Sequence, residues 1–269
     1  MADLLRLMCI TAHPDDECMG MGGILAHYAA EGVETAVLAA TRGERGWQGK
    51  EEENPGLTAL GQMREKELQA AIDVLGAHEL HFLDYIDGDL DQADPHEAVA
   101  RIVPHLRRFR PHVVATFGLD GAYGHPDHIA ICQFTTAALV CAADQAYPAG
   151  GDLPPHRVSK LYHMATTQQQ ADLFAMLFGE IVMPVDGVER RGVVVPDWEI
   201  SARVDCREHW QSVWNAVLCH TSQLPEYSKL ESMNEEQHKT LWGDQTYVRA
   251  YSTVNAGRTV EADLFEGLR

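Results

Sequence analysis

Hydrophobic positions in the first half of the chain form two kinds of segment: short apolar runs and longer stretches with helical spacing. The runs predict buried strands at Leu4–Ala12, Thr35–Ala40, His81–Leu83 and His112–Phe117. The stretches predict helices at Met19–Ala30, Leu57–Leu75, Pro95–Phe109 and Pro126–Ala143, and Pro104 is expected to kink the third of them. Because strands and helices alternate, we expect an α/β protein with a Rossmann-like, mostly parallel sheet that carries helices on both faces.

The pattern is less regular in the C-terminal third. It predicts strands at Leu161–Ala165, Trp198–Val204 and Thr246–Val254, and an amphipathic helix at Cys206–His220. A stretch rich in Pro and Gly, Tyr147–Pro155, is interpreted as a loop within one compact unit. We therefore expect a single domain over residues 1–269, with a Rossmann-like core in residues 1–165 and elements in residues 166–269 that complete a substrate pocket.

Composition narrows the classes of partner and compartment. The formal net charge of −19 repels phosphate backbones, so a nucleic-acid partner is not expected. No uninterrupted apolar stretch reaches the ~18 residues that a membrane span needs, and the N-terminus lacks the basic start and apolar run of a signal peptide. The six cysteines form no Cys-x-x-Cys pair and are expected to be buried free thiols, which favours the cytoplasm.

Two copies of a His-Pro-Asp motif follow predicted strands. His-Pro-Asp-Asp-Glu begins at His13, after the first strand, and Gly-His-Pro-Asp-His begins at Gly124, after the fourth. Proline is well suited to the first position of a helix, so each histidine should cap a helix, and residues three apart should share a face of its first turn. The first pair, His13 and Asp16, can then point at one spot. The second pair, His125 and His128, can do the same, at the sheet edge where open α/β folds bind ligands.

Residues of these types indicate a metal site. Zinc in hydrolytic sites takes three protein ligands, two histidines and a carboxylate being one such set, and keeps one position for water. A carboxylate that is not a ligand can act as general base, because zinc-bound water loses a proton near pH 7. Helix capping alone does not explain the motifs, since caps favour Ser, Thr, Asp or Asn over histidine.

At these residues the sequence resembles the LmbE-like, or PIG-L-type, N-acetylglucosaminyl deacetylases. Both motifs match the family pattern intact. Three weaker matches lie at Thr41–Gly46, which resembles the family's Thr-x-Gly-Glu-x-Gly loop, at Arg64–Leu68 (Arg-x-x-Glu) and at His220–Gln223 (His-x-Ser-Gln). The matches run from residue 13 to residue 223 and so cover most of the chain.

The resemblance implies a zinc ion held by His13, Asp16 and His128. Another divalent metal would suit the same ligands, because affinity order does not decide which ion is bound in the cell. The resemblance also implies that Asp15 is the general base that acts on the metal-bound water.

Five further residues take roles from the resemblance. His125 would stabilise the oxyanion of the tetrahedral intermediate, typically worth ~3–4 kcal/mol, or protonate the leaving amine. Asp127 would orient His125, and Tyr123 would help to polarise the substrate carbonyl. Arg64 would hold sugar hydroxyls and Glu44 would face the substrate, although both also suit solvated or helix-surface positions.

The implied activity is hydrolysis of the acetamide of an N-acetylglucosamine-type conjugate, with precursors of low-molecular-weight thiols among the family's substrates. An amidase on a thiol or other sugar-amide conjugate, and a metal-dependent binding domain without catalysis, are the alternatives. A nucleotide-binding oxidoreductase would need Gly-x-Gly-x-x-Gly directly after the first strand, where this chain has its first motif. The sugar conjugate, the native metal, a homo-oligomeric state and the roles of His220 and Gln223 stay open.

Overall fold

The computed structural model describes residues 4–148, 151–255, 257 and 259–269. Its strands are β1 (Arg6–Thr11), β2 (Glu34–Thr41), β3 (Glu79–Tyr85), β4 (Val113–Thr116), β5 (Lys160–Met164), β6 (Val182–Val185), β7 (Val188–Arg191), β8 (Ala202–Asp205) and β9 (Asp244–Ser252). Its helices are α1 (Asp16–Ala30), α2 (Leu57–Leu75), α3 (Pro95–Phe109), α4 (Gly121–Gly124), α5 (Pro126–Ala143), α6 (Gln168–Phe178), α7 (Trp210–Val217), α8 (Leu224–Tyr227) and α9 (Glu235–His238). Two residues of the predicted loop Tyr147–Pro155, 149 and 150, lie outside the described residues.

One sheet runs through the fold in the order β3-β2-β1-β4-β5-β9-β8. Strands β1 to β5 pair in parallel, whereas β9 is antiparallel to both β5 and β8. The order reverses between β1 and β4, and the carboxyl ends of the two strands at such a switch point form the crevice in which α/β sheets bind ligands. The predicted Rossmann-like, mostly parallel sheet is confirmed.

Apolar cores cover both faces of this sheet. Leu7 and Cys9 of β1 pack into the core beneath α1, α2 and α7. Met8 and Ile10 point the other way, into the core beneath α3 and α5. Since all four are fully buried, β1 reads as a continuous apolar run instead of an alternating one. The predicted helices on both faces are confirmed.

Two predictions from composition concern the burial of the cysteines and the presence of a membrane-spanning helix. The cysteines are free thiols, of which Cys141 and Cys219 are partly exposed, so the prediction of burial is wrong for these two and confirmed for the rest. In the ranges that the structure describes, no helix is both long enough and apolar enough to cross a membrane.

The C-terminal third departs most from expectation. In place of the predicted helix Cys206–His220 the chain forms a 3-10 turn at Arg207–His209 and then the shorter α7. The predicted strand Trp198–Val204 begins too early, because Trp198 is 84% exposed and its apolar character does not indicate burial.

A helix and a hairpin in this region, α6 and β6–β7, were not predicted, although each has a local signal. Thr167 and Gln170 form a capping box at the start of α6. Asp186-Gly187 joins β6 to β7 with φ of +51° and +76°, as expected for Asp-Gly in a two-residue hairpin turn. The hairpin packs on α4, and this places it over the segment that carries Tyr123.

Candidate active site

Three side chains from the two motifs converge beside the carboxyl ends of β1 and β4. His128 Nε2 lies 3.3 Å from His13 Nδ1 and 3.4 Å from Asp16 Oδ1. His13 Nδ1 lies 3.5 Å from Asp16 Oδ2. All three side chains are buried. The structure therefore brings together the two histidines and the carboxylate that the resemblance assigns to the metal.

The spacing of these atoms suits a tetrahedral ion. Zinc binds histidine nitrogen and carboxylate oxygen at about 2.0–2.2 Å, which places neighbouring ligands about 3.4 Å apart. The surroundings of His13 also carry an excess of negative charge, because carboxylate oxygens of Asp16, Asp87 and Asp127 lie within 3.5 Å of its ring nitrogens. A divalent cation would neutralise this charge.

In each histidine, one ring nitrogen has a hydrogen-bond partner outside the cluster, and this partner determines that the other nitrogen faces the candidate metal position. His13 Nε2 lies 3.1 Å from carboxylate oxygens of both Asp87 and Asp127, which leaves Nδ1 as the ligand atom. His128 Nδ1–H donates to the carbonyl oxygen of Gly121 at 3.2 Å, which leaves Nε2. Outer partners of this kind fix the tautomer and orientation of metal-binding histidines. Asp87 and Asp127, which also form a potential ligand group with His13, are thus partners of its protonated nitrogen.

Opposing charges set the pKa values of this cluster. Burial lowers the pKa of His13, but hydrogen bonds to Asp127, Asp16 and Asp87 outweigh it and raise the pKa well above the usual range. Burial raises the pKa of Asp16, but the two histidines outweigh it and hold that pKa well below normal. Burial lowers the pKa of His128 to about 3, so this imidazole is neutral at pH 7 and available as a ligand.

The first motif reaches this geometry by a route that differs from the prediction. His13 was expected to cap a helix starting at Pro14, but α1 begins at Asp16 and its N-cap is Asp15, with φ of +107°. The Asp16 carboxylate folds back and accepts the N–H of His13 at 2.7 Å. The pair therefore meets across a tight turn instead of along a helix face, because the N-cap is two residues later than expected.

The second motif forms as predicted. His125 is the N-cap of α5 and Pro126 occupies the first helical position. The His125 Nδ1 accepts the N–H of Asp127 at 3.2 Å, so this histidine does cap the helix, which the general preference for Ser, Thr, Asp and Asn did not suggest.

The predicted role of Asp127, which is to orient His125, would need a contact between its carboxylate and the His125 ring. The structure, which describes both residues, shows no such contact. Its Oδ2 lies 3.1 Å from His13 Nε2 and accepts the N–H of Gly88 at 2.7 Å. Its Oδ1 accepts the N–H of Leu90 at 3.2 Å. The reason is local: on the first turn of α5 the Asp127 carboxylate points toward His13 and the loop after β3, and its backbone N–H reaches the His125 ring.

Asp15 precedes Asp16, one of the candidate metal ligands, and its side chain is held through one oxygen. Its Oδ2 accepts the Tyr227 hydroxyl at 2.7 Å and Arg64 Nη2 at 3.0 Å. Burial raises the pKa of Asp15 to about 6, against the lowering effect of the Arg64 guanidinium. A carboxyl with a pKa near neutrality is suited to accept and return a proton.

The two residues predicted to bind substrate take different places. Arg64 is 3% exposed, and its guanidinium also donates to the carbonyl oxygens of Gly43 at 2.9 Å and Pro14 at 2.5 Å. Its contacts therefore fasten the loops around Asp15. Glu44 accepts the N–H of Asp87 at 3.2 Å and borders a cavity of about 470 Å³ next to the site, lined also by Arg45, Trp47, Glu51, Asn54, Gly56 and Leu57. Substrate binding by either residue stays a prediction.

The rings of Tyr123 and His125 lie beside His128, next to the candidate metal position. The Tyr123 ring centroid lies 5.4 Å from that of His128 and 5.9 Å from that of His125. His125 and His128 stack at 4.7 Å and form a further potential ligand group with His13. Between β4 and α5 the backbone is irregular, with φ of +65° at Ala122, a conformation that concentrates at functional sites.

The sequence reasoning missed four residues that hold the site. Asp87 follows β3 at the same sheet edge as the motifs, and that position could have indicated it. Glu17 and His220 form a buried pair with 2.8 Å between Oε1 and Nε2, and both stand in motifs that had been recognised. Tyr227 had no local signal, because its partner Asp15 lies 212 residues away in the chain.

Comparison with known proteins identifies the family. The model of the family described as PIG-L: GlcNAc-PI de-N-acetylase matches residues 8–139. A 1D-myo-inositol 2-acetamido-2-deoxy-alpha-D-glucopyranoside deacetylase of Rhodococcus jostii is 35% identical, over 81% of this chain and 82% of its own length. The chain belongs to the PIG-L family.

Two further matches cover nearly the whole of this PIG-L family member. A mycothiol S-conjugate amidase of Streptomyces coelicolor is 29% identical over 100% of this chain and 99% of its own length. The crystal structure of a conserved protein of Thermus thermophilus superposes with a TM-score of 0.66 at 28% identity, over 94% of this chain and 98% of that one. The predicted resemblance is confirmed, and with it the class of amide hydrolase to which the family's named members belong.

Proposed function

We propose that this PIG-L family member is a zinc-dependent N-deacetylase that hydrolyses the acetamide of a small N-acetylglucosamine conjugate. The observation that carries the proposal is the buried triangle of His13 Nδ1, Asp16 and His128 Nε2, with edges of 3.3–3.5 Å, next to a carboxylate outside the triangle. The deacetylase relatives support the choice of an N-acetyl sugar.

His13, Asp16 and His128 would hold the ion, which when bound supplies an activated water and a Lewis acid for the acyl carbonyl. The chain's own residues supply the proton transfers. Among the described residues, both side-chain donors to the Asp15 carboxylate bind its Oδ2, so Oδ1 is the oxygen that takes the proton of the attacking water. The same carboxyl can then return that proton to the departing amine.

His125 would act as an oxyanion donor. Burial lowers the pKa of His125, so its ring is neutral at pH 7. Because Nδ1 accepts the N–H of Asp127, the ring proton lies on Nε2. That N–H can donate to the developing oxyanion, an interaction typically worth about 3–4 kcal/mol. Tyr123 would assist at the same carbonyl.

A second candidate is an amidase that cleaves a mycothiol S-conjugate. It is favoured by one observation: a mycothiol S-conjugate amidase is 29% identical over 100% of this chain and 99% of its own length. Both candidates break an amide C–N bond and would use the same residues. A homo-oligomeric state, the compartment and the division of the chain near residue 165 stay predictions.

The test measures acetate and free amine released from 1D-myo-inositol 2-acetamido-2-deoxy-α-D-glucopyranoside, with a mycothiol S-conjugate in a parallel assay. Metal-stripped, zinc-restored and Asp15→Asn proteins are compared at equal concentration. Loss of acetate release on stripping, recovery with zinc and failure of Asp15→Asn to recover would support the deacetylase. Cleavage of the S-conjugate alone would favour the amidase, and no metal binding would refute both.

A further inference from the structure

The backbone of Asp15 is held in a conformation that non-glycine residues rarely adopt. Its φ of +107° and ψ of −27° need an outside restraint to persist. The Asp15 N–H donates to Glu17 Oε2 at 2.8 Å, and the other oxygen of Glu17 accepts Nε2–H of His220 at 2.8 Å. Glu17 and His220 are fully buried, so this chain of hydrogen bonds is shielded from water.

The side chain of Asp15 is restrained from the same direction. The Tyr227 hydroxyl donates to Oδ2 at 2.7 Å, beside Arg64 Nη2 at 3.0 Å. In the part of the chain that the structure describes, no hydrogen bond reaches Oδ1. The two donors therefore fix the rotation of the carboxylate and determine which oxygen is free to react.

The segment that supplies His220 and Tyr227 is itself fastened to the elements around the site. Glu67, one turn after Arg64 on α2, accepts the hydroxyl of Thr221 at 2.6 Å and both the N–H and hydroxyl of Ser222, at 2.8 and 2.7 Å. Gln223 Nε2 donates to the carbonyl oxygen of Gly46 at 2.8 Å. These contacts give His220–Gln223, whose role the sequence left open, a common function.

We propose that Tyr227 and His220 are positioning residues for Asp15: His220, through Glu17, holds its backbone, and Tyr227 sets its carboxylate so that Oδ1 faces the reacting water. The C-terminal third thereby completes the catalytic base. This inference rests on the proposed function, because it gives Asp15 the role of base.

The test compares Tyr227→Phe with the wild type on 1D-myo-inositol 2-acetamido-2-deoxy-α-D-glucopyranoside, in zinc-loaded protein. We expect kcat to fall about 10- to 100-fold, as for a misplaced catalytic group, while KM changes less than about threefold and the zinc content stays the same. The matched control is Tyr162→Phe, which removes a buried hydroxyl that donates to the carboxylate of Glu261 instead. This control should lose stability without losing kcat.

The second arm tests His220. His220→Ala should lower kcat in the same way, and His220→Gln, whose amide N–H can still donate to Glu17, should restore part of it at equal zinc content. A crystal structure of Tyr227→Phe should show a rotated Asp15 carboxylate.

The outcomes separate the two claims. An inactive wild type would refute the proposed function itself. An active wild type with Tyr227→Phe within twofold in kcat, or with an equal fall in Tyr162→Phe, would overturn the positioning role.

Discussion

Asp127 Oδ2 lies 3.1 Å from His13 Nε2, so a residue of the second His-Pro-Asp motif orients a candidate metal ligand of the first. The two motifs are thus one unit, in which each copy contributes side chains to the candidate metal position and the second copy also supplies the outer partner of His13. Asp127 is itself fixed by the N–H groups of Gly88 and Leu90, which link it to the loop after β3.

Replacing Asp127 should weaken zinc binding more than it lowers the activity of the zinc-loaded protein. In Asp127→Asn, His13 loses a charged acceptor, and loss of an outer partner typically lowers metal affinity about 10- to 100-fold. Zinc affinity is measured by competition with a chelator, and activity is measured across a range of free zinc. Excess zinc should restore much of the activity. Asp91→Asn, on the same loop but exposed, is the control, and equal affinities of the two variants would contradict the prediction.

Metal removal should lower thermal stability. The carboxylates of Asp16, Asp87 and Asp127 crowd His13, and a bound dication would relieve their repulsion. Binding to the folded state alone adds about 4 kcal/mol at a ligand concentration 1,000 times Kd. Differential scanning fluorimetry should therefore show a rise in Tm when zinc is returned to stripped protein. His128→Ala, which lacks one ligand, should show a much smaller rise; an equal rise would mean that the ion binds elsewhere.

The convergence of the two motifs could be predicted from the sequence, because both follow strands that lie side by side and topology then forces them together. The restraints on Asp15 could not be predicted from the sequence, since Tyr227 lies 212 residues away and no local pattern marks a tyrosine as the partner of a distant carboxylate. The contact of Asp127 was missed for a related reason. Its sequence neighbour is His125, but the helix turns its carboxylate toward His13.

Acid should weaken a buried ionic cluster far from the site. Glu261 is 1% exposed and contacts Lys160 Nζ and Arg249 Nη1, each at 2.8 Å. Burial raises the pKa of Glu261, but hydrogen bonds from Lys160 and Tyr162 outweigh it and leave that pKa below normal. The stabilisation is therefore complete above the unfolded value of about 4.3 and is lost as the pH falls through the lower folded value.

Glu261→Gln tests this dependence, because it leaves Lys160 buried without its countercharge, at a cost of about 3–5 kcal/mol near pH 7. Urea midpoints of the variant and the wild type should converge as the pH falls from 7 to 3. Glu236→Gln, at an exposed position, should follow the wild type throughout. A gap between Glu261→Gln and the wild type that does not narrow in acid would show that Glu261 contributes through packing and not through its charge.

The hairpin β6–β7 should depend on Gly124, the residue before His125. Gly124 has φ of +85°, and a Cβ there would lie 2.3 Å from the Cβ of Arg190 on β7. Gly124→Ala must therefore strain the backbone and also displace either the hairpin or the segment that carries Tyr123. Gly32→Ala is the matched control, because Gly32 has φ of +80° with nothing within 4 Å of the added carbon.

The difference in stability between these two variants measures the effect of the contact with Arg190. The control should lose only the cost of a positive φ, about 1 kcal/mol, whereas Gly124→Ala should lose about 2–4 kcal/mol and also kcat, since Tyr123 and His125 both move. Urea unfolding and acetate release, measured on the same preparations, check the two parts. If Gly124→Ala loses stability but keeps its kcat, the hairpin yields to the added methyl group and the segment Gly121–Gly124 keeps its shape without that support.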